Sequence, residues 1–119
     1  MKPITVLEKF DAFQEQWSPR RIGELNGQQV IIAKIEGEFV WHSHKDEDEL
    51  FYVIKGSFTM EYRDRKEHLK EGDMIIVPRG VEHKPVAEKE CWVMLFEPMS
   101  TKHTGELTTE RTVSEYKVI

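Results

Sequence analysis

The chain contains one cysteine, Cys91, so no disulfide can form within it, and a reducing cytoplasm is the expected compartment. No apolar run approaches the roughly 18 residues that a membrane-spanning helix requires. The opening MKPITVLEKFDAFQ lacks the apolar stretch and small-residue cleavage site of a secretory signal, so none is expected there. Positive charge is short as well: 17 Lys and Arg stand against 22 Asp and Glu, a net charge of −5. Nucleic acids and anionic membranes call for a basic surface, so both are disfavoured as partners. There is no internal repeat and no low-complexity segment. What remains as a partner is a small molecule, a metal ion or a second copy of the chain.

What is present suits one globular domain. The 119 residues suffice for a single core, and 39% hydrophobic residues with 10% aromatics argue against disorder. In TVLEKFDAFQEQW, Thr5 and Glu8 have capping-box spacing, and Leu7, Phe10, Phe13 and Trp17 recur three or four apart. This predicts a short helix, ended by Ser18-Pro19. Two β-like runs, RRIGEL and QQVIIAKIEG, flank Asn26-Gly27, a strong hairpin signal. Short strands then follow at close spacing: EFVWHSH, ELFYVI, SFTMEYR, KEHLK, MIIVP, VEHKPVA and CWVMLFE. Such a rhythm predicts an all-β sandwich or barrel. Residues 1–30 read as a helix and hairpin strand covering the barrel, 31–99 as the barrel, and 100–119 as a polar tail. Several strands are apolar on both faces, which requires cover on both. One short helix and a hairpin hardly supply it, so a homodimer is expected.

The chemistry concentrates in GEFVWHSHKDEDELFYVIKG, residues 37–56. His42 and His44 at i and i+2 on a strand lie on one side, roughly 7 Å apart at the Cα atoms. Two imidazoles so placed can converge on one ion, with bonds of about 2 Å. If KDED turns the chain back, an acid from the run can reach the same ion across the ladder. Glu47, Asp48 and Glu49 compete for that role; Glu49 directly precedes the apolar strand. His83, after the turn PRG, offers a further imidazole. The plainer alternative is a polar strand end followed by a solvated turn. Strand parity turns Val40 inward with the histidines and Phe39 and Trp41 outward; it likewise turns Phe51 and Val53 inward with Glu49.

These residues resemble the two sequence motifs of the cupin superfamily. Gly37…His42-Ser43-His44…Glu49…Gly56 is similar to the first, and Gly72…Pro78-Arg79-Gly80…His83 to the second. Gly37 stands one residue closer to His42 than the usual pattern, and Ala87 stands where the second motif often ends in Asn. The resemblance implies a small single-domain type-2 cupin, an all-β double-stranded β-helix or jelly-roll barrel with a short N-terminal helix added. It also implies one divalent metal per chain on His42, His44, Glu49 and His83. Three imidazoles and a carboxylate suit Fe, Mn, Ni, Zn or Cu.

Cupins include dioxygenases, isomerases, lyases, storage proteins and sensors, so the fold alone fixes no reaction. An enzyme acting on a small organic molecule and a non-catalytic binding or sensing module both stand. Glu49 is the candidate for proton transfer, because no second acid or spare base is evident on the metal-side strands. Phe51, Val53 and Met60 are candidates for the pocket wall. His68 and His103 read as surface residues and Cys91 as a buried structural thiol. Trp41, Tyr52, Trp92 and Phe96 read as outer core or dimer contact.

Overall fold

The computed structural model describes residues 1–119 and contains one short helix, α1 (Val6–Phe10), and eight strands. In chain order these are β1 (Arg20–Leu25), β2 (Gln28–Glu38), β3 (Glu49–Lys55), β4 (Ser57–Tyr62), β5 (Lys66–Lys70), β6 (Met74–Val77), β7 (His83–Pro98) and β8 (Lys117–Val118). The all-β expectation holds, and the sheet is organised around β7. One edge of β7 pairs antiparallel with β2 from Val86 to Pro98. Its other edge is shared, with β4 pairing at His83–Val86 and β3 at Trp92–Phe96. Only Gly56 separates β3 from β4 where they change places along β7. It has φ +85°, and a Cβ there would lie 3.0 Å from the Glu90 carbonyl oxygen, so a side chain is disfavoured twice over.

The sequence split β7 into VEHKPVA and CWVMLFE, whereas the structure runs one strand through Glu88-Lys89-Glu90. The polar run is a bulge rather than a turn: β7 pairs with β2 on both sides of it, at Ala87–Gly37 and at Cys91–Ile35, and the three residues between oppose Glu36 alone. EFVWHSH was expected as a strand; instead β2 ends at Glu38, and only His42 forms an isolated bridge, to His83. Strand parity therefore stops before the histidines. Phe39, expected to face outward, is buried in the core and stacks on Trp17 at 4.7 Å.

Inside the barrel lies a 16-residue apolar cluster that includes Ile31, Phe51, Val53, Met60 and Val93. A smaller cluster of Phe10, Phe13, Ile22 and Ile32 lies apart from it, where Phe10 stacks on Trp92 at 4.7 Å. The N-terminal segment thus covers part of the sheet's outer face. Thr5 accepts the first helical hydrogen bonds through its backbone, but its side chain makes no cap, and Leu7 remains exposed. Val6–Phe10 is too short to stand alone, so packing of Phe10 holds it.

The tail is ordered against the barrel. Lys117 and Val118 add a parallel strand to β1, and Thr101 and Thr104 are buried. Gly105, at φ +63°, sits so near the Ser43 carbonyl that a Cβ would lie 2.1 Å from its oxygen. This contact seats the tail on the His-Ser-His segment.

Candidate metal centre and cavity

Three parts of the chain bring four side chains to one point. His42 and His44 lie on the segment between β2 and β3, Glu49 begins β3, and His83 begins β7. The backbones of His42 and His83 exchange hydrogen bonds, with N–O distances of 3.1 and 2.9 Å. Gly80 N donates to His44 O at 2.7 Å and ties the segment to the PRG turn. His42 Nδ1 lies 2.9 Å from Val40 O, and His83 Nδ1 lies 2.9 Å from Val81 O. A carbonyl only accepts, so each Nδ1 carries the proton and each Nε2 is left with a free lone pair.

One ligand atom from each of His42, His44, Glu49 and His83 lies within 4.8 Å of the others, and all four residues are buried. His44 Nε2 is 3.0 Å and His83 Nε2 is 3.2 Å from Glu49 Oε1. Neither approach is aligned as a hydrogen bond, and both nitrogens, that oxygen and His44 Nδ1 have no partner. Buried polar atoms left unpartnered are costly unless something else binds them. Three imidazole nitrogens and a carboxylate oxygen converging in this way fit a divalent transition metal.

Beside the centre is a cavity of about 50 Å³. Its apolar wall includes Trp17, Ile31, Phe39, Phe51 and Leu95; its polar lining is His42, Glu49, Glu97, His103 and Tyr116. Of the three residues read as pocket wall, Phe51 is in its lining, whereas Val53 and Met60 are not and lie within the adjoining apolar cluster. The reading of His103 as a surface residue is also corrected. It lines the cavity, with its ring 4.9 Å from Phe39 and 6.0 Å from Tyr116. The tail folds back over the barrel, which polar composition alone does not reveal.

Glu97 is the acid that sequence reasoning missed. It is buried, lines the cavity, and its Oε2 has no partner. The signal was available in CWVMLFE, because Cys91, Val93, Leu95 and Glu97 share the buried parity of β7. The antiparallel pair Leu50–Phe96 places Glu97 one position on, across from Glu49. Of the competing acids, Glu47 accepts from Ser100 Oγ at 2.8 Å, and Asp48 accepts from Arg79 N at 2.8 Å; neither joins the cluster. His68 is exposed and bonds Thr59, as expected of a surface residue. Cys91 is buried, and burial pushes its thiol up to about 12.

Proton affinities diverge across the site. Burial, and then the neighbouring His83, push His42 down to about 3, so it stays neutral and free to ligate. Burial alone would raise Glu49, but the neighbouring imidazole of His44, whose ring proton is free to sit on Nε2, outweighs it and holds the carboxyl below its usual range. Glu97 goes the other way: burial, and then the charge of Glu49, raise it well above a normal carboxyl. The two carboxyl groups are thus pushed apart in proton affinity, Glu49 toward the anion and Glu97 toward the acid, the separation that acid–base chemistry requires.

The cupin-domain family model matches residues 28–96. The chain belongs to the cupin family. A cupin-2 domain protein from Shewanella frigidimarina superposes with a TM-score of 0.79 at 47% identity, covering 80% of this chain and 93% of that one. NMB1881 from Neisseria meningitidis superposes with a TM-score of 0.75 at 28% identity, covering 82% and 99%. Among curated proteins, uncharacterized YdbB of Bacillus subtilis is 38% identical over 64 residues, 53% of this chain and 57% of that protein. Acireductone dioxygenase 4 of Oryza sativa subsp. japonica is 33% identical over 67 residues, 52% of this chain and 36% of that protein. The matched region thus spans little more than half of the one and about a third of the other.

The raised Glu97 sets a pH dependence. Between the unfolded and folded pKa values the native state binds more protons, so this group's contribution is full below about pH 4.5 and is lost as pH rises. Glu97→Gln in metal-free protein should therefore gain stability relative to wild type between pH 5 and pH 8, as read by urea denaturation at both. An unchanged difference between the two pH values would contradict a neutral buried Glu97.

Proposed function

We propose that this cupin is a metal-dependent enzyme acting on a small oxygen-bearing organic molecule, with His42, His44, Glu49 and His83 as the metal ligands. The observation that carries this reading is the convergence of the four ligand atoms beside a cavity that His42 and Glu49 line together with Glu97, whose Oε2 has no partner. One divalent ion, Fe, Mn, Ni, Zn or Cu, would polarise a bound carbonyl or enol oxygen, and a redox-active one would also serve oxygen chemistry. Glu49 would supply a negative charge to the ion, and Glu97, across the ladder from Glu49, would hold a proton and pass it to substrate. Proton transfer thereby moves from Glu49, the candidate from sequence, to Glu97. The apolar wall lowers the local dielectric, which strengthens both interactions.

Dioxygenase, isomerase and lyase reactions all suit this arrangement, and the match to proteins named acireductone dioxygenase favours the first. The acids of residues 45–48 oppose multiply phosphorylated substrates, although Arg79 pairs with Asp48 and reduces that field. A binding module is the second reading, favoured by the small size of the cavity. The one thiol is buried, in keeping with a cytoplasmic protein.

A homodimer is also proposed, on a more sharply defined face than the sequence allowed. Trp92 is covered by Phe10, and Trp41 lies beneath the Arg63 guanidinium at 3.9 Å. Leu50, Tyr52, Met74, Ile76 and Phe96 remain, cross-strand neighbours on β3, β6 and β7, with Met74 58% and Ile76 53% exposed. β6 has only β3 beside it, so the face reaches a free sheet edge.

Two measurements test these readings. Metal-loaded wild type and Glu97→Gln are assayed on a panel of small keto, enol and sugar-derived substrates under air and under nitrogen. Turnover that Glu97→Gln reduces by about a hundredfold, within the usual range for general acid–base catalysis, supports the enzyme; oxygen dependence marks a dioxygenase. Tight binding without turnover in either gas selects the binding module. For the dimer, light scattering should give twice the chain mass at tens of micromolar, and Ile76→Asp should halve it. A wild-type mass near 14.1 kDa would refute the dimer.

A further inference from the structure

The cupin-domain match ends at residue 96, yet three polar residues of the cavity come from beyond it: Glu97 at the end of β7, and His103 and Tyr116 in the tail. The placement of the tail pair is built rather than incidental. Gly105 seats the segment against the Ser43 backbone, and Thr104 Oγ1, itself buried, bonds Leu107 O at 2.7 Å and Thr112 Oγ1 at 2.6 Å. Val113 N donates to His103 Nδ1 at 3.0 Å. A ring nitrogen that accepts carries no proton, so in neutral His103 the hydrogen sits on Nε2. Burial pushes His103 down to about 4, so the neutral ring is the form present near pH 7. The Tyr116 hydroxyl makes no hydrogen bond to protein, and the His103 ring is held from one side by Val113 N on Nδ1 with the Arg111 backbone beside it; both residues line the cavity.

We propose that His103 and Tyr116 are positioning residues for the bound molecule, donating hydrogen bonds from Nε2–H and O–H to its oxygen atoms. The ligand this selects is a short acid or carbonyl compound with neighbouring oxygens. The cavity is lined by these two donors from the tail, by His42 and Glu49 of the cation-binding centre, and by apolar side chains. A cavity of about 50 Å³ encloses only a few heavy atoms. The inference rests on the metal reading of the four-residue centre, and it makes the tail, outside the matched domain, the part that sets ligand choice.

The test is calorimetric titration of zinc-loaded protein with pyruvate, glycolate and oxalate, beside a separate zinc titration of metal-free protein. His103→Leu and Tyr116→Phe should each weaken binding of at least one acid about tenfold, the scale of one lost hydrogen bond to a charged group. His103→Gln keeps an N–H donor and should restore most of that loss, which a purely structural role would not allow. Zinc affinity should match wild type in all three variants. If His103→Leu alters the circular dichroism spectrum, Tyr116→Phe decides, since it removes one hydroxyl and leaves the ring. Normal zinc binding with unchanged acid affinity in both variants overturns the role of the tail alone. Zinc binding by wild type with no affinity for any of the three acids overturns the ligand class. Failure of wild type to bind zinc, iron, manganese, nickel or copper overturns the metal reading, and this inference with it.

Discussion

The paired backbone hydrogen bonds between His42 and His83 join the irregular segment after β2 to the start of β7, and the rest of the site is hung on that join. The segment is not part of a regular strand, so the bond from Gly80 N to His44 O fixes the direction of His44, and this bridge fixes that of His42. With it, both Nδ1–H groups of His42 and His83 are taken up by local carbonyls, and both Nε2 atoms are left for the interior. β7 is paired along both edges, so the histidine at its head is held by the most connected strand in the sheet. Rigidity at His83 is passed to His42 through backbone and to Glu49 through the β3–β7 register.

Two carboxyl groups near this join are buried by the same fold and driven in opposite directions. Glu49 has imidazoles at 3.0 and 3.2 Å, and its charge is favoured despite burial. Glu97 faces that charge across the ladder, so a second charge there would be unscreened and unpaired. The result is one anion suited to a cation and one acid suited to a proton. The tail completes the enclosure on the remaining side. Its contact at Ser43 lies between the two histidines of the motif, so ligand side and metal side are mechanically joined.

The fold class was legible because strand length, turn residues and period-2 alternation all agreed. Parity worked wherever a residue lay in a continuous ladder: Glu49, Phe51 and Val53 are buried, and Leu50, Tyr52 and Ile54 are less so. It failed at Phe39, where β2 has already ended and backbone direction is set by the tail and β7. The four clustered residues were legible because their spacing is local on each side of two turns. Glu97 was legible in principle and overlooked, since an acid at the end of an apolar strand reads as solvated. His103 and Tyr116 were not legible. Their approach depends on a twenty-residue excursion whose seating is a backbone contact at Gly105, and no periodicity encodes that.

The central claim is that four side chains form one metal centre, and X-ray absorption at the metal edge of reconstituted protein tests it most directly. Wild type should hold about one ion per chain with three imidazole ligands and a carboxylate, and His83→Ala should show one imidazole fewer or no bound metal. An ion bound with no histidine in its shell, or the same spectrum in wild type and His83→Ala, would contradict the account.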